Sequence, residues 1–197
     1  MKHAGILLLL ASISIPAVAS AETDDLASFR SEARAASMRF MKQLAGEMKA
    51  ALGSGGPVKA LSVCKDKAPA ITGEQSRLRG WKMTRVSLKY RNPMLGMPDD
   101  WEAAQLQAFE QRRAKGEKPD RMEVAEIVTD PTGRKYYRYM KAIGTRPMCL
   151  MCHGDPATIS PEIRRTLETL YPHDLATGFK AGDIRGAISI KAPVEQD

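Results

Sequence analysis

The chain is predicted to fold as an α+β domain, and three observations carry that prediction. Apolar residues recur at helical spacing through a long segment near the N-terminus, and four shorter segments alternate apolar and polar residues as strands do. Strands and helices do not alternate one by one, which a parallel βαβ sheet would require. With 197 residues, 43% hydrophobic and 27% charged, the chain has the size and apolar content of one globular domain and too much Leu, Ile, Val and Met for wholesale disorder.

The elements follow in order. Met1-Lys2-His3 is a short basic start, Ala4 to Ile15 is apolar, and Ala19-Ser20-Ala21 is a small-x-small cleavage signal before Glu22. Residues 1–21 therefore read as a secretory leader, and 22–197 as the mature domain, expected in the periplasm. The apolar run is shorter than the roughly 20 residues of a bilayer span, so no stable membrane insertion is expected after cleavage. From Asp25 to Leu52, Leu26, Phe29, Ala33, Phe40, Leu44 and Met48 mark one helical face, and Gly53-Ser54-Gly55-Gly56 stops the helix. A second helix starts at Pro57 and places Leu61, Cys64, Ala68 and Ile71 on one face, with Pro69 expected to kink or end it.

Thr84, Val86 and Leu88 alternate as a first strand. Asp99 can cap a helix from Asp100 to Ala114. Met122 to Val128 and Tyr137 to Ile143 read as two strands joined by the turn Asp130-Pro131-Thr132-Gly133, hence an antiparallel pair. Ser160-Pro161 opens a helix with Ile163, Leu167 and Leu170 on one face, and Ile184 to Ile190 is the last strand.

The net charge is +7, or +6 once Lys2 leaves with the leader, and it is spread along the chain. In an exported protein this favours acidic partners, anionic surfaces or an anionic cofactor, not nucleic acid. No Ser-His-Asp set and no Gly-rich phosphate loop stands in a credible context, so the chain is not expected to be an enzyme.

Three cysteines, Cys64, Cys149 and Cys152, cannot all pair with one another in an oxidising compartment. Cys149-Leu150-Met151-Cys152-His153 is the C-x-x-C-H signature of covalent haem attachment, in which two thiols add to the haem vinyl groups and the adjacent imidazole binds the iron. A thioredoxin-type disulfide would open a helix after a strand and would not need His153. Here Thr145-Arg146-Pro147 and Gly154-Asp155-Pro156 flank the motif as loop signals, and a zinc site would want a second cysteine pair. One covalently attached haem c is therefore expected.

With His153 on one side of the iron, the other side is left to Cys64, His173, a methionine or nothing. Cys64 alone reads as a small buried hydrophobe. Its lack of a partner thiol, with Lys65 and Lys67 beside it to favour a thiolate, shifts it toward ligation. His173, in the loop Tyr171-Pro172-His173-Asp174, reads as a surface residue more than a ligand. Met148 and Met151 lie too near the attachment residues to reach the opposite side, and the other methionines read as helix or core filler. Arg85, Arg91, Lys141, Arg146 and Arg185 are candidates to pair with anionic haem propionates. Tyr136, Tyr137 and Tyr139 read as strand packing before pocket lining.

An ordered string of motifs also resembles a known family: Val63-Cys64-Lys65 with Ala68-Pro69, Arg91-Asn92-Pro93, Asp99-Asp100-Trp101-Glu102, Cys149 to Gly154, Tyr171-Pro172-His173-Asp174 with Ala176 and Gly178, and Gly182 to Ala187. From about Ser28 to Ile190 the chain is similar to the PAS-like domains that bind haem c, which occur as stand-alone exported cytochromes and as sensor segments of bacterial signalling proteins. The resemblance implies a PAS-like antiparallel sheet with flanking helices, and a six-coordinate iron between His153 and Cys64. A low-potential electron carrier with a separate redox partner is the expected function, since a saturated iron exchanges electrons without binding substrate. The alternative is a redox or gas (NO/CO) sensor, which without an output domain of its own would act through a separate signalling partner. A peroxidase would need an open distal side with a polar catalytic group.

Overall fold

A long amphipathic helix lies across a small sheet and sets the layout. The computed structural model describes residues 18–194. The expected leader therefore lies outside the described residues except for the backbone of 18–21, which opens the first helix. That helix, α1 (Val18–Ser62), buries Phe29, Ala33, Ala36 and Phe40, a stripe at the helical period. The stripe packs against Met83, Tyr139, Ile188, Ile190 and Ala192 of the sheet. Polar bonds fix the crossing: Arg30 Nε donates to Glu123 Oε1 at 2.9 Å, Arg34 Nε to Oε2 at 2.8 Å, and Tyr139 Oη to Oε2 at 3.0 Å. This pairing holds the Glu123 carboxyl down at about 2, through the Arg34 hydrogen bond first.

The predicted stop falls where the glycines stand. Gly55 (φ −168°, ψ 17°) and Gly56 (φ 68°, ψ −167°) leave helical geometry and break α1 into two segments. The left-handed φ of Gly56 is one that a side chain would oppose. Pro57 sits just past the break, at the start of the second segment.

Of the two outcomes expected at Pro69, a kink or an end, the end does not occur. Val63–Lys67 forms a π turn, in which Ala68 N–H donates to Val63 O, and the chain runs on into α2 (Ala68–Arg79) with Pro69 in its first turn. The wider turn re-registers the backbone just where proline lacks its own N–H, so the helix bends its ladder instead of stopping. Gly80 (φ 67°) then ends α2.

The sheet contains β1 (Lys82–Val86), β2 (Glu123–Thr129), β3 (Lys135–Gly144) and β4 (Ile184–Pro193), in the order β1-β4-β3-β2 with every pair antiparallel. Leu88 lies beyond β1. Between β1 and β2 come the short α3 (Pro93–Gly96) and then α4 (Asp100–Ala114), capped by Asp99 as expected, in a reciprocal box with Glu102. Residues of the opposite parity, Val86, Met140, Ala142 and Ala187, face away from α1 and pack under Leu106 and Phe109 of α4. After β3, a short helix α5 (Leu150–His153) and then α6 (Pro161–Leu170), with Ser160 Oγ accepting from Ile163 N–H, complete the chain before β4. The expected α+β class, with a long N-terminal helix and helices flanking an antiparallel sheet, is the fold observed. No described helix is long and apolar enough to cross a membrane.

Candidate metal centre

The segment Cys149–His153 is not the open loop that its flanks suggested. A 3-10 turn over Pro147–Cys149 passes directly into α5, so both thiols and the imidazole share little more than one helical turn. Gly154 closes it: its N–H donates to Leu150 O at 2.9 Å, and a Cβ there would stand 2.6 Å from that oxygen. All three cysteines are free and half-buried.

The loop before β4 grips this turn. Phe179 N–H donates to His153 O at 2.9 Å and Gly178 N–H to Gly154 O at 2.7 Å. His153 Nδ1 lies 2.7 Å from Ala176 O, an acceptor only, so Nδ1 carries the proton and Nε2 is left with its lone pair. Burial first, then the positive charges of Arg185 and Arg91, hold the imidazole well below its ordinary pKa, in the neutral form a metal needs. The Phe179 ring stands edge-on to the imidazole, with centroids 6.3 Å apart.

Arg91 ties the parts together. Its Nε donates to Asp174 Oδ2 at 3.1 Å and its Nη2 to Cys152 O at 2.5 Å, while Asp174 Oδ1 accepts from Ala176 N–H at 2.8 Å. One buried ion pair thus positions both the attachment turn and the carbonyl that orients His153. Arg91 Nη1 is buried with no partner.

Arg185 owes its direction to a β-bulge. Ile143 pairs with Gly186 and Gly144 with Ile184, which leaves Arg185 as the extra residue of β4. Freed from the ladder, its side chain reaches Ser87 Oγ at 3.2 Å, and its Nε donates to His153 Nε2 at 3.5 Å. Arg185 therefore stands on the coordinating side of the imidazole and must turn aside for any group bound at Nε2. Burial, then Arg91 and Arg85, lower its pKa to about 10. Glycine is required next to it, because a Cβ on Gly186 would lie 2.3 Å from Val86 O.

Cys64 lies on the π turn. Leu61, one turn earlier, packs with Ile159, Ile163, Leu167 and Tyr171, a cluster that Cys152 also joins. Burial raises the Cys152 thiol, against the lowering charge of Arg91. Burial likewise lowers the Arg85 guanidinium. Lys65 and Lys67, expected to favour a Cys64 thiolate, are exposed.

Of the other candidates, His173 is exposed on its loop. Arg146 is also exposed, and Lys141 donates to Asp120 O near the β2 edge. Tyr139 is buried on Glu123, and Tyr137 stacks on Phe29 at 5.1 Å, so both serve the helix–sheet core. Sequence reasoning missed the Ala176 carbonyl and the Asp174–Arg91 pair as supports of His153. A short motif, Asp174-x-Ala176, was in view without the tertiary contact that explains it. Met48, read as helix or core filler, packs against Ala51, Ala60 and Val63, and its Sδ lies 3.8 Å from Cys64 Sγ.

A haem held by Cys149, Cys152 and His153 fits these residues. The ring nitrogen has the right tautomer, and an unpartnered guanidinium nitrogen with two further arginines offers charge to anionic substituents.

No curated protein matches the chain. Among solved structures, a cyanobacterial haem protein, Tll0287, superposes with a TM-score of 0.64 over 85% of this chain and 96% of that one, at 22% identity, which is a likeness of fold. The Tll0287-like family model matches residues 18–193, nearly all that the structure describes, and the chain belongs to that family.

Proposed function

We propose that the chain is an exported, monohaem c-type cytochrome with the iron between His153 and Cys64, acting in low-potential electron transfer in the periplasm. One observation carries the reading: on the turn that bears Cys149 and Cys152, the His153 Nδ1–Ala176 O bond leaves Nε2 as a lone-pair nitrogen. The related fold is that of a protein described as a haem protein, in keeping with the same cofactor here.

When bound, haem c supplies reversible one-electron exchange. Cys149 and Cys152 are the attachment thiols. His153 stays neutral and fixed in orientation through Ala176, Asp174 and Arg91. Cys64, on the π turn, would hold the other side of the group, and a thiolate ligand there would lower the potential by stabilising the ferric charge. With His153 and Cys64 both holding the group, no position would be left for a substrate, so an enzymatic role is not proposed. The partner is a small redox protein, for which the positive surface charge favours an acidic face.

A second reading, a redox or gas (NO/CO) sensor acting through a signalling partner, draws on one feature. Cys64 sits on a π turn between two helical segments, so release of its sulfur could be transmitted as a helix movement.

The test is low-temperature EPR of the ferric holoprotein, made in a host that attaches haem c. A low-spin signal with the narrow g-spread of thiolate ligation, lost in Cys64→Ala, is expected. A wide spread, or a spectrum unchanged in Cys64→Ala, overturns the Cys64 assignment, and absence of covalent haem overturns the reading as a whole.

A further inference from the structure

The coordinating nitrogen of His153 already has an occupant. Arg185 Nε donates to His153 Nε2 at 3.5 Å, a long bond, on the lone pair that a metal would use. The guanidinium is seated there from several sides: Nη1 donates to Ser87 Oγ at 3.2 Å and to Lys89 O at 3.3 Å, and Cζ lies 5.2 Å from the Phe179 ring centroid. Ser87 Oγ is also 2.9 Å from Arg185 O, so Ser87 holds the residue at both its backbone and its tip. The bulge that frees Arg185 from the ladder, and the glycine after it, build this placement into the sheet. His153 and Arg185 are each half-buried, so small ions in solution reach the ring.

The charge around the ring is one-sided. Arg91 and Arg85 add to the positive field of Arg185 at His153, while Asp174 has its oxygens engaged by Arg91 and by the Ala176 N–H. Among the described residues, no three His, Cys, Asp or Glu side chains gather as ligands of one ion. Two thiols and an imidazole on one turn are still donors that Zn²⁺ takes, even without the fourth ligand of a structural site. A divalent cation arriving at Nε2 meets a guanidinium on the lone pair, two more cations around it and no free carboxylate to offset them. An anionic porphyrin meets the opposite balance, because its carboxylates give a displaced guanidinium a new partner.

We propose that Arg185 is a specificity residue of the haem-free chain: seated on His153 Nε2, it keeps bare divalent cations off the Cys149–His153 turn and leaves the turn to an anionic cofactor. The inference rests on the haem c reading of that turn. Arg185 can serve as a removable cover because hydroxyl and carbonyl oxygens and a ring hold it, and the long side chain turns aside without moving β4.

The experiment titrates Zn²⁺ by calorimetry into the haem-free full chain, thiols kept reduced, in wild-type, Arg185→Leu, Arg146→Leu and Arg185→Leu/His153→Ala forms, each checked for native circular dichroism. Leucine removes the charge and the donor but keeps an apolar stem. Arg146, exposed and three residues before Cys149, controls for net charge. Arg185→Leu should bind Zn²⁺ about tenfold to a hundredfold more tightly than wild type, the range that groups beside a metal ligand command. Arg146→Leu should stay near wild type, and adding His153→Ala should abolish the gain. Proton NMR of the haem-free wild type should show a nuclear Overhauser contact between Arg185 Hε and the His153 ring, a readout that stands whether or not the variants fold. Absence of that contact, a haem-free wild type without native circular dichroism, equal Zn²⁺ affinity in wild type and Arg185→Leu, an equal gain in Arg146→Leu, or a gain that survives His153→Ala overturns the inference and leaves the haem reading in place. Covalent haem is measured separately, as the pyridine haemochrome of protein from a host that attaches haem c; its absence in wild type overturns the parent reading, and this inference with it.

Discussion

Removing the carboxylate of Asp174 isolates the contribution of one buried charge to the whole site. Arg91 and Asp174 side chains are 8% and 11% exposed, with Nε to Oδ2 at 3.1 Å. Asp174→Ala leaves the guanidinium uncompensated beside Arg85 and Arg185, and breaking a buried pair in this way costs about 3–5 kcal/mol. Arg91 keeps its bond to the Cys152 carbonyl and the vacated space admits water, so the lower end, about 3 kcal/mol, is expected. For a domain of this size that corresponds to a fall in Tm of about 6–12 °C. The assay is thermal and urea unfolding of the haem-free protein, followed by circular dichroism, with Asp174→Asn in parallel. Asparagine keeps an oxygen for the Ala176 N–H but not the charge, so it should lose most of the same stability. A loss under about 1 kcal/mol in Asp174→Ala, the range of exposed pairs, would refute the reasoning and place the Arg91 charge in solvent.

Three further outcomes are expected. The Glu123 carboxyl is depressed to about 2, so its stabilisation is complete above about pH 4.5 and is lost as pH falls toward 2; Glu123→Gln should flatten the acid limb of a stability-against-pH curve over that window, and an unaltered limb would refute it. Gly186→Ala adds a Cβ 2.3 Å from Val86 O at a φ of 154°, and should cost about 3 kcal/mol in urea unfolding while a Gly46→Ala control, with nothing within 4 Å, does not destabilise. Asp99→Ala removes the α4 cap and a 2.9 Å bond from Arg138, and a fall in urea midpoint equivalent to about 1–2 kcal/mol, with an unchanged slope, is its signature.

Much of this protein was legible in the chain because it depends on local rules. Cys149, Cys152 and His153 are neighbours along the chain, so their grouping could be read from spacing alone. The Asp99 and Ser160 caps, the Gly55–Gly56 break and the Asp130–Gly133 turn are likewise decided within a few residues, by backbone hydrogen bonds and the freedom of glycine. The alternation of Met122 to Val128 and Tyr137 to Ile143 marked strands because one face of a sheet must be buried.

Other features waited on contacts between distant residues. Pro69 was read as a kink or a stop, and the π turn ahead of it lets the helix continue, a choice between two hydrogen-bond registers that packing makes. Nothing in the order of residues singles out Arg185 from Arg146, yet the bulge opposite Ile143 and Gly144 aims only the former at His153. The chain by itself determined which residues could carry the chemistry, because side-chain type and short spacing are properties of the covalent polymer. The tertiary structure decided which of them meet: Ala176 with His153, Asp174 with Arg91, Met48 with Cys64. Those pairings come from burying the apolar faces of α1, α6 and the sheet, and that burial acts over separations that no local pattern records.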